Sequence, residues 1–366
     1  MSATDARRVD CQCCIAGGGP AGLMLAALLA RQGVRVVVLE KHADFLRDFR
    51  GDTIHPSTLE VLEEMGLLDA FLERPHQRLS ELQAIVGGEA IRVADFSRLP
   101  TRCRFIALMP QWDFLDFLRD AAERHDNFQI RMRSEVVGLI RDDDRVVGVR
   151  VATPEGPVEV RADLVVGADG RHSVVRREAG LPATDLGAPI DVLWMRISRH
   201  ERDPGQALGR IESGRILITL DRGSYWQCAF VIPKGTWEDR RPETLRILRA
   251  EIARVAPFLR DRVEELDDWE QVKRLTVRVD RLVRWHRPGL LCIGDAAHAM
   301  SPIGGVGINL AVQDAVAAAN LLGRALAAGE ATEADLKRVQ RRRMLPTRVT
   351  QRVQLFAQDF GIRPVL

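Results

Sequence analysis

The segment Gly17-Gly-Gly-Pro-Ala-Gly22 constrains this chain more than any other. It follows a short apolar run, Cys11 to Ala16, and opens a helix expected over Pro20 to Gln32, which Gly33 closes. Val34 to Leu39 then reads as a buried parallel strand. Strand, glycine turn, helix and strand make one βαβ unit. The spacing Gly17-x-Gly19-x-x-Gly22 permits a tight turn and close approach of the backbone to a pyrophosphate. The helix that follows, through Pro20 and Ala21, offers free N–H groups and a positive partial charge. Glu40, at the tip of the second strand, is placed to accept hydrogen bonds from ribose hydroxyls.

Two more glycine corners stand far along the chain, each after an apolar run. Gly167-Ala-Asp169-Gly170 leads to Ser173, which alone would read as a helix N-cap. Gly294-Asp295-Ala-Ala-His298 runs on through Pro302-Ile-Gly304-Gly305-Val-Gly307-Ile-Asn309. Asp295, just past a strand, can accept hydrogen bonds from a polyol. The small residues of the 302–307 loop let a flat ring approach the backbone. A helix beginning at Asn309 would turn its positive end toward that ring and stabilise an anion there. Three such corners in one chain suggest a single extended ligand, and FAD fits. A metal reading of Asp295 and His298 lacks a third ligand. Cys11, Cys13 and Cys14 lack a second Cys/His pair at zinc spacing and read as buried small hydrophobes, so no metal is expected.

Composition removes other classes. A net charge of +2 gives no basic arm for nucleic acid. No unbroken apolar run reaches the roughly 18–20 residues of a membrane span. The polar first ten residues lack a secretion-signal core, so a cytoplasmic location is the expectation.

Helices are expected over 56–65, 111–125, 243–255 and 311–328, and again from Thr332. Ser80 to Phe96 reads as two strands about Gly87-Gly88. Phe128 to Ala162 reads as a meander, followed by a strand at Leu164 to Val166. Residues 190–233 read as strands. The implied fold class is α/β: a Rossmann-like domain with an inserted α+β domain carrying an antiparallel sheet, and C-terminal helices. The expected division is 1–75, 100–182 and 275–330 for the nucleotide-binding part, 76–99 and 183–274 for the inserted part, and 331–366 for a helical tail.

Taken in order, these motifs resemble the class A flavoprotein monooxygenases, the para-hydroxybenzoate hydroxylase family. The resemblance implies that the first motif holds the FAD pyrophosphate and that Glu40 contacts the adenosine ribose. Arg50 and Gln111 match family residues near FAD. Asp169 lies in a motif linked to FAD and reduced nicotinamide, and Asp295 matches the aspartate on ribityl. Pro302, Gly304, Gly305, Gly307 and Asn309 match the loop beside the flavin ring. The implied reaction is reduction of FAD by NADH or NADPH, addition of O2 at C4a, and transfer of one oxygen atom from the hydroperoxide to an apolar, often aromatic molecule by hydroxylation or epoxidation. A reductase or dehydrogenase on the same fold, or a low-turnover ligand-binding flavoprotein, is the alternative. A monomer or a homodimer would serve equally.

Tyr225 is the one tyrosine, so a two-tyrosine relay is excluded and no catalytic base is assigned. His55, His172 and His298 qualify by residue type only. Trp194, Tyr225, Trp226 and Phe230 are candidate substrate-lining residues, although half of any strand set faces away from a pocket.

Overall fold

The computed structural model describes residues 7–46, 53–204, 209–212, 214–362 and 365. Arg50 lies outside them. An eight-stranded sheet holds five consecutive parallel strands: Leu290–Cys292, Gly156–Gly167, Arg7–Ala16, Val36–Leu39 and Phe128–Arg131. The central strands are lined by aliphatic and small residues buried on both faces, as a covered parallel sheet requires. An antiparallel ribbon, Glu135–Asp142 and Arg145–Thr153, hangs from the Gly156–Gly167 strand. That strand runs unbroken for 12 residues, where the sequence suggested a meander followed by a separate strand.

Eight α-helices lie among the described residues: α1 (Pro20–Arg31), α2 (Pro56–Glu64), α3 (Leu68–Leu72), α4 (Gln111–Ala122), α5 (Val174–Glu178), α6 (Pro242–Val255), α7 (Gly307–Ala328) and α8 (Glu333–Phe356). α1 forms because Leu23, Leu25, Leu29 and small alanines leave no polar group to bury, and Pro20 suits its first turn. It packs against α4 and α7, and α7 packs against α8. Burying each of those leucines stabilises the layer by roughly 1.5–3 kcal/mol. By length and mean hydropathy alone 303–328 would pass as a bilayer span. More than half of its most apolar 18-residue stretch is buried inside the protein, and Asn309 and Asp314 sit in the core.

The second large sheet has seven strands in the order Lys273–Leu275, Ile190–Ser198, Tyr225–Pro233, Arg215–Asp221, Gly209–Glu212, Glu81–Val86, Glu89–Asp95. Strands distant in sequence thus share one layer. Side-chain alternation gives it two apolar faces. Leu193, Met195, Trp226, Cys228 and Phe230 meet α6 through Leu245, Leu248 and Ile252. The opposite face carries Val192, Trp194, Ile218 and Leu220, which pack toward Ile106 and Leu108.

Candidate functional site

The parallel strands end in register: Ala16 faces Gly167 and Leu39, and Gly167 faces Cys292. All three glycine corners therefore leave the sheet at its carboxyl edge, where open α/β sheets bind ligands. They also touch. The Ala168 N–H donates to Ala16 O at 2.8 Å, and Ile293 N–H donates to Gly167 O at 3.0 Å. Gly17 has φ +107°, and a Cβ there would lie 2.4 Å from Ala168 O. A Cβ on Gly22 would lie 2.0 Å from Gly17 O, and one on Gly294 would lie 3.0 Å from the Ala21 Cβ. Arg171 stands 3.8 Å from Asp295, joining the second corner to the third.

Gly19 differs from its neighbours. A Cβ there meets nothing within 4 Å, and no side chain caps α1, whose first helical residue is Pro20. An open space in front of uncapped N–H groups is what an anionic phosphate needs. Glu40 is buried. Its two carboxylate oxygens accept from the Gly18 and His42 N–H groups, each at 3.0 Å. The carboxylate thus braces the glycine turn, a role that residue spacing does not reveal.

The third corner continues into a loop of unusual backbone. Gly304 and Gly305 have φ of +77° and +61°, and a Cβ on Gly305 would press into the Thr53 hydroxyl. The Thr53 hydroxyl donates to Gly305 O at 2.7 Å, and the buried Thr58 hydroxyl donates to Asn309 Oδ1 at 2.5 Å. α7 begins at Gly307, not at Asn309; Asn309 lies in its first turn, again with no side-chain cap. Gln111 is the first residue of α4 and is partly exposed. Asp169 accepts from the Ser173 hydroxyl at 2.5 Å and the Val175 N–H at 3.1 Å, so its carboxylate braces the start of α5. Burial pushes its pKa up against those bonds.

The histidines separate clearly. His298 Nε2 lies 2.6 Å from Asp314 Oδ2, which also accepts from the Gly294 N–H at 3.0 Å. Arg343 Nε donates to Asp314 Oδ1 at 2.7 Å. Burial pushes the Asp314 carboxyl up, but His298 and Arg343 outweigh it and the pKa falls below its ordinary value. This buried trio ties the third corner to α7 and α8. His172 is held below its usual pKa by burial and by the nearby Arg171, Arg278 and Arg176. His55 precedes α2 and meets the backbone of Gly304 and Gly305. Burial lowers its pKa, and its buried Nε2 has no hydrogen-bond partner among the described residues.

On the seven-stranded sheet the candidate substrate residues divide by face. Trp194 and Tyr225 lie on the face away from α6, where Arg196 stacks 5.1 Å from the Tyr225 ring. Trp226 and Phe230 point the other way, into the core under α6, because residues one apart on a strand face opposite sides. The structure therefore does not bring them together with Trp194 on one face. Trp226 Nε1 donates instead to Asp203 at 2.7 Å, and its ring packs edge-on against Phe258.

Three glycine corners at one sheet edge, two uncapped helix N-termini and a braced carboxylate define a dinucleotide-binding flavoprotein of the α/β class. The chain belongs to the FAD binding domain family of FAD-dependent monooxygenases, matching it over residues 10–353. It is 33% identical over 344 residues to a 6-methylpretetramide 4-monooxygenase of Streptomyces rimosus, covering 93% of this chain and 82% of that one. It is 32% identical over 310 residues to a rifampicin monooxygenase of Streptomyces venezuelae, covering 82% of this chain but only 61% of the relative. Among solved structures, the anhydrotetracycline hydroxylase OxyS of Streptomyces rimosus superposes with a TM-score of 0.79 at 27% identity, over 98% of this chain and 70% of that one.

Proposed function

We propose that this chain is an FAD-dependent monooxygenase that inserts one atom of O2 into an apolar, aromatic small molecule, with NADH or NADPH as the electron source. Fused-ring aromatic polyketides are the first substrates to test, since the relatives' names point there. The observation that carries the reading is the meeting of all three glycine corners at one edge of five parallel strands. FAD fits this edge. Gly19 and the start of α1 would receive the pyrophosphate, with Gly17, Pro20, Ala21 and Gly22 shaping the turn. Glu40 would face the adenosine ribose. Asp295, held near Arg171, would accept from ribityl, and Gln111 and Asp169 would flank the cofactor. Pro302, Gly304, Gly305, Gly307 and Asn309 would border the ring.

Bound FAD supplies the redox and oxygen-activating chemistry; the protein supplies position, charge and dryness. The uncapped start of α7 would stabilise negative charge on a ring bound there. Trp194 and Ile218, partly exposed over the buried Leu220, Ile106 and Leu108, would give a flat substrate an apolar, water-excluding wall. Of the three histidines, His55 is the one at the ring loop with a nitrogen still able to take a proton. The division of the chain into a nucleotide-binding part, an inserted part built on the seven-stranded sheet and a helical tail belongs to this proposal, as do a cytoplasmic location and a monomeric or homodimeric state. The deciding experiment is single turnover under 18O2 with NADH or NADPH and a panel of tetracyclic phenols. One labelled oxygen in the product is expected. Flavin bleaching with no labelled product from any acceptor would favour a reductase. A yellow protein that no nicotinamide bleaches would favour a ligand-binding flavoprotein.

A further inference from the structure

The N-terminal half of α8 buries Leu336 and Val339 in the ordinary way, but its C-terminal half is folded inside out. Helical periodicity marks Leu345, Val349, Val353, Phe356 and Phe360 as one apolar stripe, which the usual rule turns inward. In the structure these residues are 52–70% exposed. The opposite face is the buried one, and it carries glutamines: Gln351 and Gln358 are fully buried and Gln354 is 4% exposed. Burying primary amides is costly unless each finds partners. The partners here are concentrated on the strand and loop that lead into the flavin-ring loop.

Gln354 grips Ser301 twice, accepting from its N–H at 3.2 Å and donating to its carbonyl at 2.9 Å, and it donates to the Ile303 carbonyl at 2.8 Å. Gln358 donates to the Ser301 hydroxyl at 2.7 Å, and that hydroxyl accepts from the Ile303 N–H at 3.3 Å. One turn back, Gln351 donates to the carbonyls of Ala299 and Asp280 at 3.1 and 2.8 Å, while its oxygen accepts from Arg281 at 2.6 Å. Gln351 and Gln354 of α8, with Gln358 of the π-helical segment Ala357–Ile362 that continues it, thus contact residues 299–303, immediately before the positive-φ glycines and the start of α7.

We propose that the glutamine face of α8 is a positioning device for the ring loop. Gln354, supported by Gln358, fixes Ser301 to Ile303 and so aims the N-terminus of α7 at the cofactor ring, favouring the reduced, negatively charged flavin. Neither residue is catalytic; both act through the loop. The device rests on the FAD assignment above for its consequence, but the tether itself can be read without the cofactor.

The test compares Gln354→Leu with Gln340→Leu. Gln340 lies on the same helix, donates to Val283 O and accepts from the Trp285 N–H, each at 3.0 Å, but does not touch the ring loop. In protein stripped of FAD, amide exchange over 301–307 should accelerate at least tenfold in Gln354→Leu and stay unchanged in Gln340→Leu. In reloaded protein, the affinity ratio for reduced over oxidised FAD should fall about tenfold in Gln354→Leu alone, which is about 30 mV for a two-electron couple. Equal acceleration or equal potential shifts in both variants would reduce the glutamines to general scaffolding and overturn the proposal. Unchanged exchange in Gln354→Leu would also overturn it. Wild-type protein that refuses FAD yet shows the exchange difference would sink the flavin assignment while leaving the tether intact. Should Gln354→Leu not fold, Gln354→Glu, which keeps an acceptor but loses both donors, is read in the same way.

Discussion

At the corner proposed to take the pyrophosphate, Gly17, Gly19, Gly22 and Glu40 come from one βαβ unit and hold one another. Glu40 accepts from the Gly18 N–H, and Gly22 packs on the Gly17 carbonyl. At the ring end, little of the loop is held by its own neighbours in sequence. Thr53 and Thr58 reach it from before and within α2, Gln354 reaches it from α8, and Gln358 from the π-helical segment Ala357–Ile362 just after. The first end is a local device whose parts stand at fixed spacing. The second is assembled from segments roughly 250 and 50 residues away, and its geometry can be altered without touching the motif itself. A rigid anchor for phosphate and an adjustable cradle for the reactive ring suit a cofactor whose two ends have different tasks.

The sharpest way to break this contrast is inside the first motif. Gly22→Ala forces a Cβ to within 2.0 Å of a backbone oxygen, so the turn must deform. Loss of FAD retention is expected, along with a destabilised apoprotein, by about 1–3 kcal/mol or more. Gly19→Ala places its Cβ in open space, and the backbone there is extended. Its apoprotein should melt with the wild type while FAD affinity falls. Equal flavin affinity in Gly19→Ala and wild type, measured by fluorescence titration, would show that no pyrophosphate lies there.

The next effect tests the ring end's buried support. Asp314→Asn leaves Arg343 without its carboxylate, a loss of about 3–5 kcal/mol by urea unfolding at pH 7. The sign of the pH dependence follows from the lowered folded pKa of Asp314. A depressed carboxyl stabilises the fold fully above its unfolded value of about 3.9, and that contribution is lost as pH falls below it through the folded value. The gap between wild type and Asp314→Asn should therefore narrow below about pH 4. A gap that stays constant down to pH 3 would mean that Asp314 is not the charged partner of this network. A smaller effect is expected of Thr58→Val, which strands the Asn309 side chain at a cost of about 1–3 kcal/mol. Here the flavin spectrum should shift as well, since Asn309 lies in the first turn of α7.

The same contrast explains what could be read without coordinates. The βαβ unit, the three corners, the split between a parallel and a largely antiparallel sheet and the paired strands about Gly87-Gly88 all follow from patterns within windows of 20 residues or fewer. Thr53, Thr58, Asp314 and Arg343 carry no such local signal, because each becomes meaningful only when a distant segment packs against it. Gln351, Gln354 and Gln358 are harder still. A hydrophobicity pattern assigns them to the solvent face, and only the backbone groups of 299–303 reverse that. The sequence begins a helix at Asn309, but α7 starts two residues earlier, because Gly307 and Ile308 are helical despite the glycine-rich approach.

The smallest expected effects concern the seven-stranded sheet, where two tryptophans lie on opposite faces of one layer. Trp226→Phe removes the indole donor to Asp203, whose carboxyl is held far below its ordinary pKa: burial raises it, but Arg262, the His200 N–H and Trp226 outweigh that. About 1–2 kcal/mol of stability should go with that bond, with KM for the aromatic substrate unchanged. Trp194→Phe keeps an aromatic ring on the opposite face and should cost less than about 0.5–1 kcal/mol. It should nevertheless raise KM several-fold and increase NAD(P)H consumption without oxygen transfer, because that face is the wall proposed above for the substrate. The two variants thus separate packing from recognition within a single sheet. If Trp226→Phe alters KM and Trp194→Phe does not, the substrate lies on the α6 side, and the apolar wall next to Ile106 and Leu108 is core rather than pocket.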